Sequence, residues 1–323
     1  MASLREAATN RSAPMTTALT IAHLSDVHLG PIRDFTPRYW NLKRLTGYWN
    51  WHSTRRTLYQ RSVLDRLVAD LKAARPDHII VTGDLVNIGL PQEHVDALSW
   101  LASLGPPDRV TVIPGNHDIY ARQRDLATRR WAAYMSADAT GQGYLGTAGP
   151  GSMAQFPFVR RCGGIALIGL NSAVPTPPLI AAGRAGNEQL AALARVLDST
   201  HRAGLFRLLL IHHPPLPGQA SRTRGLKDAA ALQSLLYRHG AELVIHGHNH
   251  RNMLTLQPSA SGAPIPIVGV PSASLARRLK GEALARYNLY RIVGPPWSVA
   301  LCGRGLGDPA GDIVELERRQ LDA

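Results

Sequence analysis

The sequence predicts a layered α/β fold. Short apolar runs alternate along the chain with longer stretches of helical spacing, the order that builds parallel strands covered by helices. Five of those runs end in a small polar cluster rich in Asp, Asn and His, which suggests strand ends meeting at one place. The composition, 45% hydrophobic and 18% charged, is globular and excludes a mostly disordered chain. At roughly 150 residues per domain, 323 residues make about two domains or one large α/β domain. No repeat of fixed period and no strong compositional break divides the chain, which favours a single domain.

Leu19–Leu24 (LTIAHL) is the first strand and runs into Ser25-Asp26-Val27-His28. Val63, Leu64, Leu67, Val68 and Leu71 follow helical spacing, so 63–74 is a helix that Pro76 stops. His78–Thr82 (HIIVT) is a buried strand ending in Gly83-Asp84, and Pro91–Leu104 is a helix. Val110–Ile113 is a strand ending in Gly115-Asn116-His117-Asp118. Phe158–Arg161 and Ile165–Leu170 flank a Cys162-Gly163-Gly164 turn as a hairpin. Helix 188–201 leads to the strand Leu205–Ile211, which ends in His212-His213-Pro214-Pro215. Helix 226–238 leads to Leu243–Ile245, which ends in His246-Gly247-His248-Asn249-His250. Met253–Leu256, Pro266–Val270, Ala285–Val293 and Ser298–Cys302 follow as antiparallel strands. Residues 1–18 read as a disordered extension without a leader's apolar core, 19–310 as one domain and 311–323 as a tail. Gly141–Gly151 reads as a loop.

Thirty-six Lys and Arg against 23 Asp and Glu leave a net charge of +13, which points to phosphates, nucleic acid or an anionic membrane surface as partners. No helix-turn-helix, zinc-finger or RNA-recognition signature accompanies the charge, so sequence-specific nucleic-acid binding is not expected. Two cysteines, Cys162 and Cys302, exclude a disulfide framework and point to a reducing, cytoplasmic compartment. The longest apolar runs fall far short of the ~20 residues a spanning helix needs.

In open α/β sheets the site lies outside the carboxyl ends of the strands, so the five clusters can converge on one crevice. Together they offer Asp26, His28, Asp84, Asn116, His212, His248 and His250. Mixed oxygen and nitrogen donors suit first-row metals such as Fe, Mn, Zn or Co. Seven ligands are too many for one ion, and two ions sharing a carboxylate fit the count. Asp26 with His28, and His248 with His250, are spaced i, i+2 and project to one side of an extended segment, so each pair can chelate one ion together. Gly83, Gly115 and Gly247 are expected to let the backbone turn the ligands inward. Asp118 either orients His117 or serves as a turn or helix cap. His213 and His246 adjoin ligands but point away from them. His23, His52, His78, His94, His201 and His239 read as surface or strand residues.

With these motifs the sequence resembles the calcineurin-like metallophosphoesterase superfamily. DxH (Asp26, His28), GD (Asp84), GNHD (Asn116, His117), HHPP (His212) and GHNH (His248, His250) stand in the family's order, and none is missing. GDLVNIGLPQE (Gly83–Glu93), VIPGNHD, IHHPPLP and HGHNH are similar to the class III cyclic-nucleotide phosphodiesterase and glycerophosphodiesterase branch. The resemblance implies a four-layer αββα sandwich of two mixed sheets with a dinuclear metal site at the strand ends. It implies one ion on Asp26, His28 and His250, the other on Asn116, His212 and His248, and Asp84 bridging them. It places His117 outside the ligand set, against the phosphate or the leaving oxygen. The implied reaction is hydrolysis of a phosphate ester, expected to be a phosphodiester, by in-line attack of metal-bound hydroxide. The alternative is a peripheral-membrane pyrophosphatase or phosphatase acting on a lipid-linked or UDP-acyl-sugar substrate.

Residues 31–61 stand apart. They hold seven of the 19 aromatic residues and seven Arg or Lys against a single acid, Asp34. One reading is a cap packing its aromatics on the core. The other is an interfacial segment held to the anionic inner face of a membrane.

Overall fold

The computed structural model describes residues 17–120, 125–145, 155–278 and 281–321. It contains two six-stranded sheets. The first runs β12-β11-β10-β1-β2-β3 and the second β4-β5-β6-β7-β9-β8. The strands are β1 (Thr17–Leu24), β2 (His78–Val81), β3 (Val110–Val112), β4 (Phe158–Cys162), β5 (Ile165–Gly169) and β6 (Phe206–Leu210). They continue with β7 (Leu243–His246), β8 (Met253–Gln257), β9 (Ile265–Gly269), β10 (Arg286–Gly294), β11 (Ser298–Leu306) and β12 (Ile313–Gln320). The helices are α1 (Leu42–Asn50), α2 (Arg56–Leu58), α3 (Arg61–Ala73), α4 (Pro91–Leu104), α5 (Asp125–Arg130), α6 (Ala139–Gln142), α7 (Asn187–Arg202) and α8 (Ala229–His239).

Side-chain alternation shows why the sheets stack. On β6, Phe206, Leu208 and Leu210 enter one apolar core, while Leu209 and the flanking Leu205 and Ile211 enter another. The first core fills the space between the sheets and also takes in α3 and α4 through Leu64, Leu67, Trp100 and Leu101. The second lies under α7 and α8, through Leu193, Leu197, Leu232 and Leu236. A strand buried on both faces reads as a continuous apolar run, which is why these strands lack polar alternation. The result is the expected four-layer sandwich.

β1, β2 and β3 pair in parallel, as do β6 and β7, so five carboxyl ends fall along one edge of the sandwich. The hairpin of β4 and β5 is antiparallel as expected. β9 departs from the expected antiparallel set: it pairs in parallel with β7 and antiparallel with β8.

Two boundaries differ from expectation. Thr17 and Ala18 belong to β1, pairing with Gly294 and Val293, and residues 1–16 lie outside the described residues. The expected tail contains β12, which pairs along β11 from Ala300↔Gln320 to Leu306↔Ile313. Its sequence, IVELERRQ, is half charged because it is an edge strand with both faces largely in water, and such charges guard an open edge. Of the expected loop 141–151, Gly141 and Gln142 end α6, and residues 146–151 lie outside the described residues.

Residues 31–61 fold over the site edge as a 3-10 turn, α1, a π-helical turn at Trp51–Arg55, and α2. The inner half is a cap: Phe35, Tyr39, Tyr48 and Trp51 pack on Ile32, Ile88, Leu90 and Tyr120. Arg44 is buried there, its guanidinium donating to the carbonyls of Ile88 (3.2 Å) and Gly89 (2.7 Å). The outer half, with Trp40, Leu42, Leu45 and Trp49, is exposed.

Candidate metal centre

All seven predicted ligand residues lie buried at the shared edge. Asp26, His28 and His250 offer donor atoms within 4.8 Å of one another, and so do Asp84, His212 and His248. Asp26 Oδ1 lies 3.1 Å from His250 Nε2, and Asp84 Oδ2 lies 3.4 Å from His212 Nε2. Asn116 Oδ1 is 3.2 Å from His212 Nε2, which places Asn116 beside the second cluster. Asp84 also groups with His28 and His117, so its carboxylate stands between the clusters.

Against the expected extended segments, the backbone bends sharply to deliver these side chains, and it sends His248 and His250 to different clusters rather than to one ion. Asp26, His28, Asp84, His248 and His250 all have positive φ, between 47° and 69°. Non-glycine residues rarely adopt that region, and it is held here by cross-links between strand ends. Asp26 N–H donates to Gly83 O (2.9 Å), His28 N–H to Asp84 O (3.0 Å) and Gly247 N–H to His212 O (3.1 Å). The strain sits on the ligands themselves, not on the glycines alone. Gly115 and Gly247 serve a different purpose from the expected turning: neither has positive φ, and each leaves room for a carboxylate. A Cβ on Gly115 would strike Asp84 Oδ1, and one on Gly247 would lie 2.5 Å from Asp26 Oδ2.

The donor set fits two cations. His28 Nε2 and His248 Nε2, one in each cluster, are buried without a hydrogen-bond partner, a costly state for imidazole unless a ligand fills it. Two buried carboxylates also need positive charge nearby. Burial raises Asp84, but His212 outweighs it and holds the carboxyl well below the usual range. Burial lowers His212, yet Asp84 beside it lifts the imidazole to about 9.

His117 makes different contacts. Its Nδ1 donates to the carbonyl of Asn87, and its Nε2 accepts from Arg55 Nη1 at 3.2 Å. Both nitrogens are therefore engaged, which supports a position outside the ligand set. Burial holds its imidazole down at about 4, against the pull of Asp84.

Asp118 does not orient His117. Its carboxylate accepts from the backbone N–H of Asp84 (2.8 Å), Leu85 (2.9 Å), Val86 (3.2 Å) and Gly115 (2.8 Å). It ties the Gly83-Asp84 turn to the Gly115-Asn116 turn, which is the capping role. His213 is satisfied by Ser172 Oγ (2.7 Å) and Ala181 O (3.1 Å), and His246 Nδ1 lies 3.0 Å from Gly247 O. His94 is buried on α4 rather than at the surface, its Nδ1 2.8 Å from Leu90 O and its Nε2 3.0 Å from Asp118 O.

Four residues beyond the motifs face the site. Glu282 Oε2 lies 3.2 Å from His250 Nδ1, Tyr59 Oη lies 3.1 Å from the same nitrogen, and Arg224 donates to His248 O at 3.0 Å. Arg55 closes the π-helical turn, a distortion often found at functional sites. The unusual composition of 31–61 pointed at Arg55 and Tyr59 as a region. Nothing in the sequence singled out Glu282, which reaches His250 from a connection with no apolar pattern.

Two cavities meet here. One, of about 260 Å³, lies over the ligands and is bounded by Thr54, Arg224 and Glu282. The other, of about 810 Å³, runs beneath α1. Asn50, Arg55, Asn116, His117 and Ala181 line both.

The sequence profile described as calcineurin-like phosphoesterase matches residues 19–252. No match is found among curated protein sequences. Among solved structures, the fold is similar to a dimetal phosphatase from Danio rerio, with a TM-score of 0.59, 15% identity, and coverage of 94% of this chain and 98% of that one. It is also similar to the purple acid phosphatase PPD1 of yellow lupin (Lupinus luteus) seeds, with a TM-score of 0.55, 12% identity and coverage of 93% of this chain. The chain spans 53% of the length of that lupin enzyme. Phosphoesterases of this kind use two divalent metal ions, and the clusters of Asp26 and Asp84 are able to hold them. The chain belongs to the calcineurin-like phosphoesterase family.

Proposed function

We propose that this phosphoesterase is a phosphodiesterase. The observation that carries the reading is the pair of cavities diverging from His117 and Arg55. A phosphodiester has two organic arms, and a site with two outlets accommodates both, whereas a monoester needs one. Asp26, His28 and His250 would hold one ion, Asn116, His212 and His248 the other, with Asp84 shared. Iron, manganese, zinc and cobalt all suit these donors. When bound, such ions supply Lewis acidity and an acidified water.

The chain's own residues do the rest. Asp84 sets the spacing of the two clusters and accepts the His117 N–H at 2.7 Å. Arg55 brings a fixed positive charge beside His117 Nε2, where charge develops on the phosphoryl and leaving oxygens. His117, its Nδ1–H committed to the carbonyl of Asn87, holds Arg55 at this spot through Nε2; for His117 itself to donate to a phosphoryl or leaving oxygen, Nε2 must first take up a proton in place of the Arg55 contact. The test is turnover of bis(p-nitrophenyl) phosphate against p-nitrophenyl phosphate with Mn²⁺. A kcat/KM at least tenfold higher for the diester is expected, and a preference for the monoester would overturn the reading.

A second reading, a peripheral-membrane enzyme acting on a lipid-linked or UDP-acyl-sugar pyrophosphate, is favoured by one surface. Leu42, Leu45 and Trp49 recur at i, i+3, i+7 on α1 and are 68%, 42% and 75% exposed. Arg33, Arg38 and Arg56 are exposed in the same segment. Among the described residues no helix is long and apolar enough to cross a membrane, so the contact would be peripheral, at an anionic cytoplasmic leaflet. Co-sedimentation with phosphatidylserine vesicles at low salt, lost as salt rises, is the expected result. No binding at low salt would remove this reading.

A further inference from the structure

We infer that the groove beneath α1 binds an apolar chain carried by one arm of the substrate, so that the substrate class is a phosphodiester with a long alkyl or acyl group on one side and a polar group on the other. This rests on the diester reading. The groove's volume, about 810 Å³, is that of a site built for a ligand larger than a phosphate. Its apolar lining is Leu45, Trp49 and Trp51 from the cap, facing Leu179 and Ile180 from the loop opposite, with Lys43, Thr46, Asn50 and Asn87 between them and the catalytic end. The two walls are tied by Lys43 Nζ, which donates to Thr176 Oγ1 at 2.7 Å. Leu45, Trp49 and Leu179 are 42%, 75% and 89% exposed, so three large apolar side chains meet water around one concavity. Such a concentration marks a surface that is covered in use.

Continuity names the occupant. The groove opens at Arg55, Asn116 and His117, the same residues that line the cavity over the ligands. A chain lying in it is therefore attached to the phosphate held there. The other cavity is walled by Thr54, Arg224 and Glu282, which suit a polar arm. The polarity of the two outlets thus differs in the way the two ends of an amphiphile differ.

The experiment uses the metal-loaded protein and a series of alkyl p-nitrophenyl phosphates: methyl, butyl and octyl, each below its aggregation concentration. Every methylene that enters the groove is expected to raise kcat/KM up to about fourfold, the factor set by about 0.8 kcal/mol. The octyl ester should exceed the methyl ester at least tenfold. Leu45→Glu and Leu179→Glu, both at exposed positions, should each bring the octyl-to-methyl ratio toward one, with two metal equivalents retained as the check on folding. Equal rates for methyl and octyl esters in the wild type would overturn the inference and leave the diester reading standing. A chain-length effect that survives both substitutions would place the chain elsewhere and overturn it too. Hydrolysis of no diester, with monoesters turned over, would overturn the diester reading itself.

Discussion

Replacing Asp118 with Ala separates architecture from chemistry at this site. The Asp118 carboxylate accepts four backbone N–H groups, at 2.8, 2.9, 3.2 and 2.8 Å, and is buried. Leaving a buried donor without a partner costs about 1–3 kcal/mol. Four such donors at the lower end of that range give a loss of about 4 kcal/mol. For a chain of this size each kcal/mol lowers the melting temperature by about 2 °C or more, so a fall of about 8 °C is expected. The donors belong to Asp84, Leu85, Val86 and Gly115, so the same change loosens the turns that carry Asp84 and Asn116. Metal content should fall together with stability. Asp118→Asn keeps one acceptor oxygen and should lose about half as much. The assay is thermal unfolding beside elemental analysis of the same preparations. An Asp118→Ala protein with wild-type melting temperature and full metal content, yet no turnover, would refute the capping role and restore a chemical one.

Other expectations follow from neighbouring contacts. His117→Ala should keep both metals and lose turnover, most severely for alkyl leaving groups if His117 donates the proton, and equally for alkyl and p-nitrophenol leaving groups if it stabilises the phosphoryl oxygens; loss of metal would place it among the ligands. Glu282→Gln should weaken one ion about 10–100-fold, as removal of an imidazole's outer partner does, and leave the other unchanged in a Mn²⁺ titration; equal weakening of both would contradict its pairing with His250. Far from the site, hydrogen bonds from Arg304 hold the Asp70 carboxyl below its usual range. A carboxyl depressed in the folded state stabilises above its unfolded pKa of about 3.9, and that contribution fades as pH falls through the depressed folded value. The stability gap between wild type and Asp70→Asn should therefore be present at pH 6 and shrink below pH 4, as urea unfolding at each pH would show. A constant gap would contradict the ion-pair account.

The parts of this molecule that were legible in the sequence share a cause. Asp26, Asp84, Asn116, His212 and His248 each follow directly on an apolar run, and parallel pairing puts the carboxyl ends of such runs on one edge. Position along the chain therefore carried position in space. The left-handed backbone at Asp26, His28, Asp84, His248 and His250 was not legible, because Asp and His enter that region more often than most residues but still rarely, and the cross-links between turns impose it here. Nor was the purpose of Gly115 and Gly247, where a close carboxylate excludes a Cβ. β12 was hidden because an edge strand carries charges on both faces, and β9 because partner direction depends on the route of the chain between strands. Residues 31–61 were conspicuous by composition, yet composition could not say that Tyr48 and Trp51 pack on the apolar cluster while Trp49 stays exposed at the groove.

Metal stoichiometry tests most directly whether two ions share the carboxylate of Asp84. Wild-type protein saturated with Mn²⁺ and freed of excess ion should carry two equivalents per chain by elemental analysis. Asp84→Asn keeps the side chain's size and an acceptor for the His117 N–H while removing the shared charge, and it should retain at most one equivalent. A single equivalent in the wild type, or two in Asp84→Asn, would contradict that sharing.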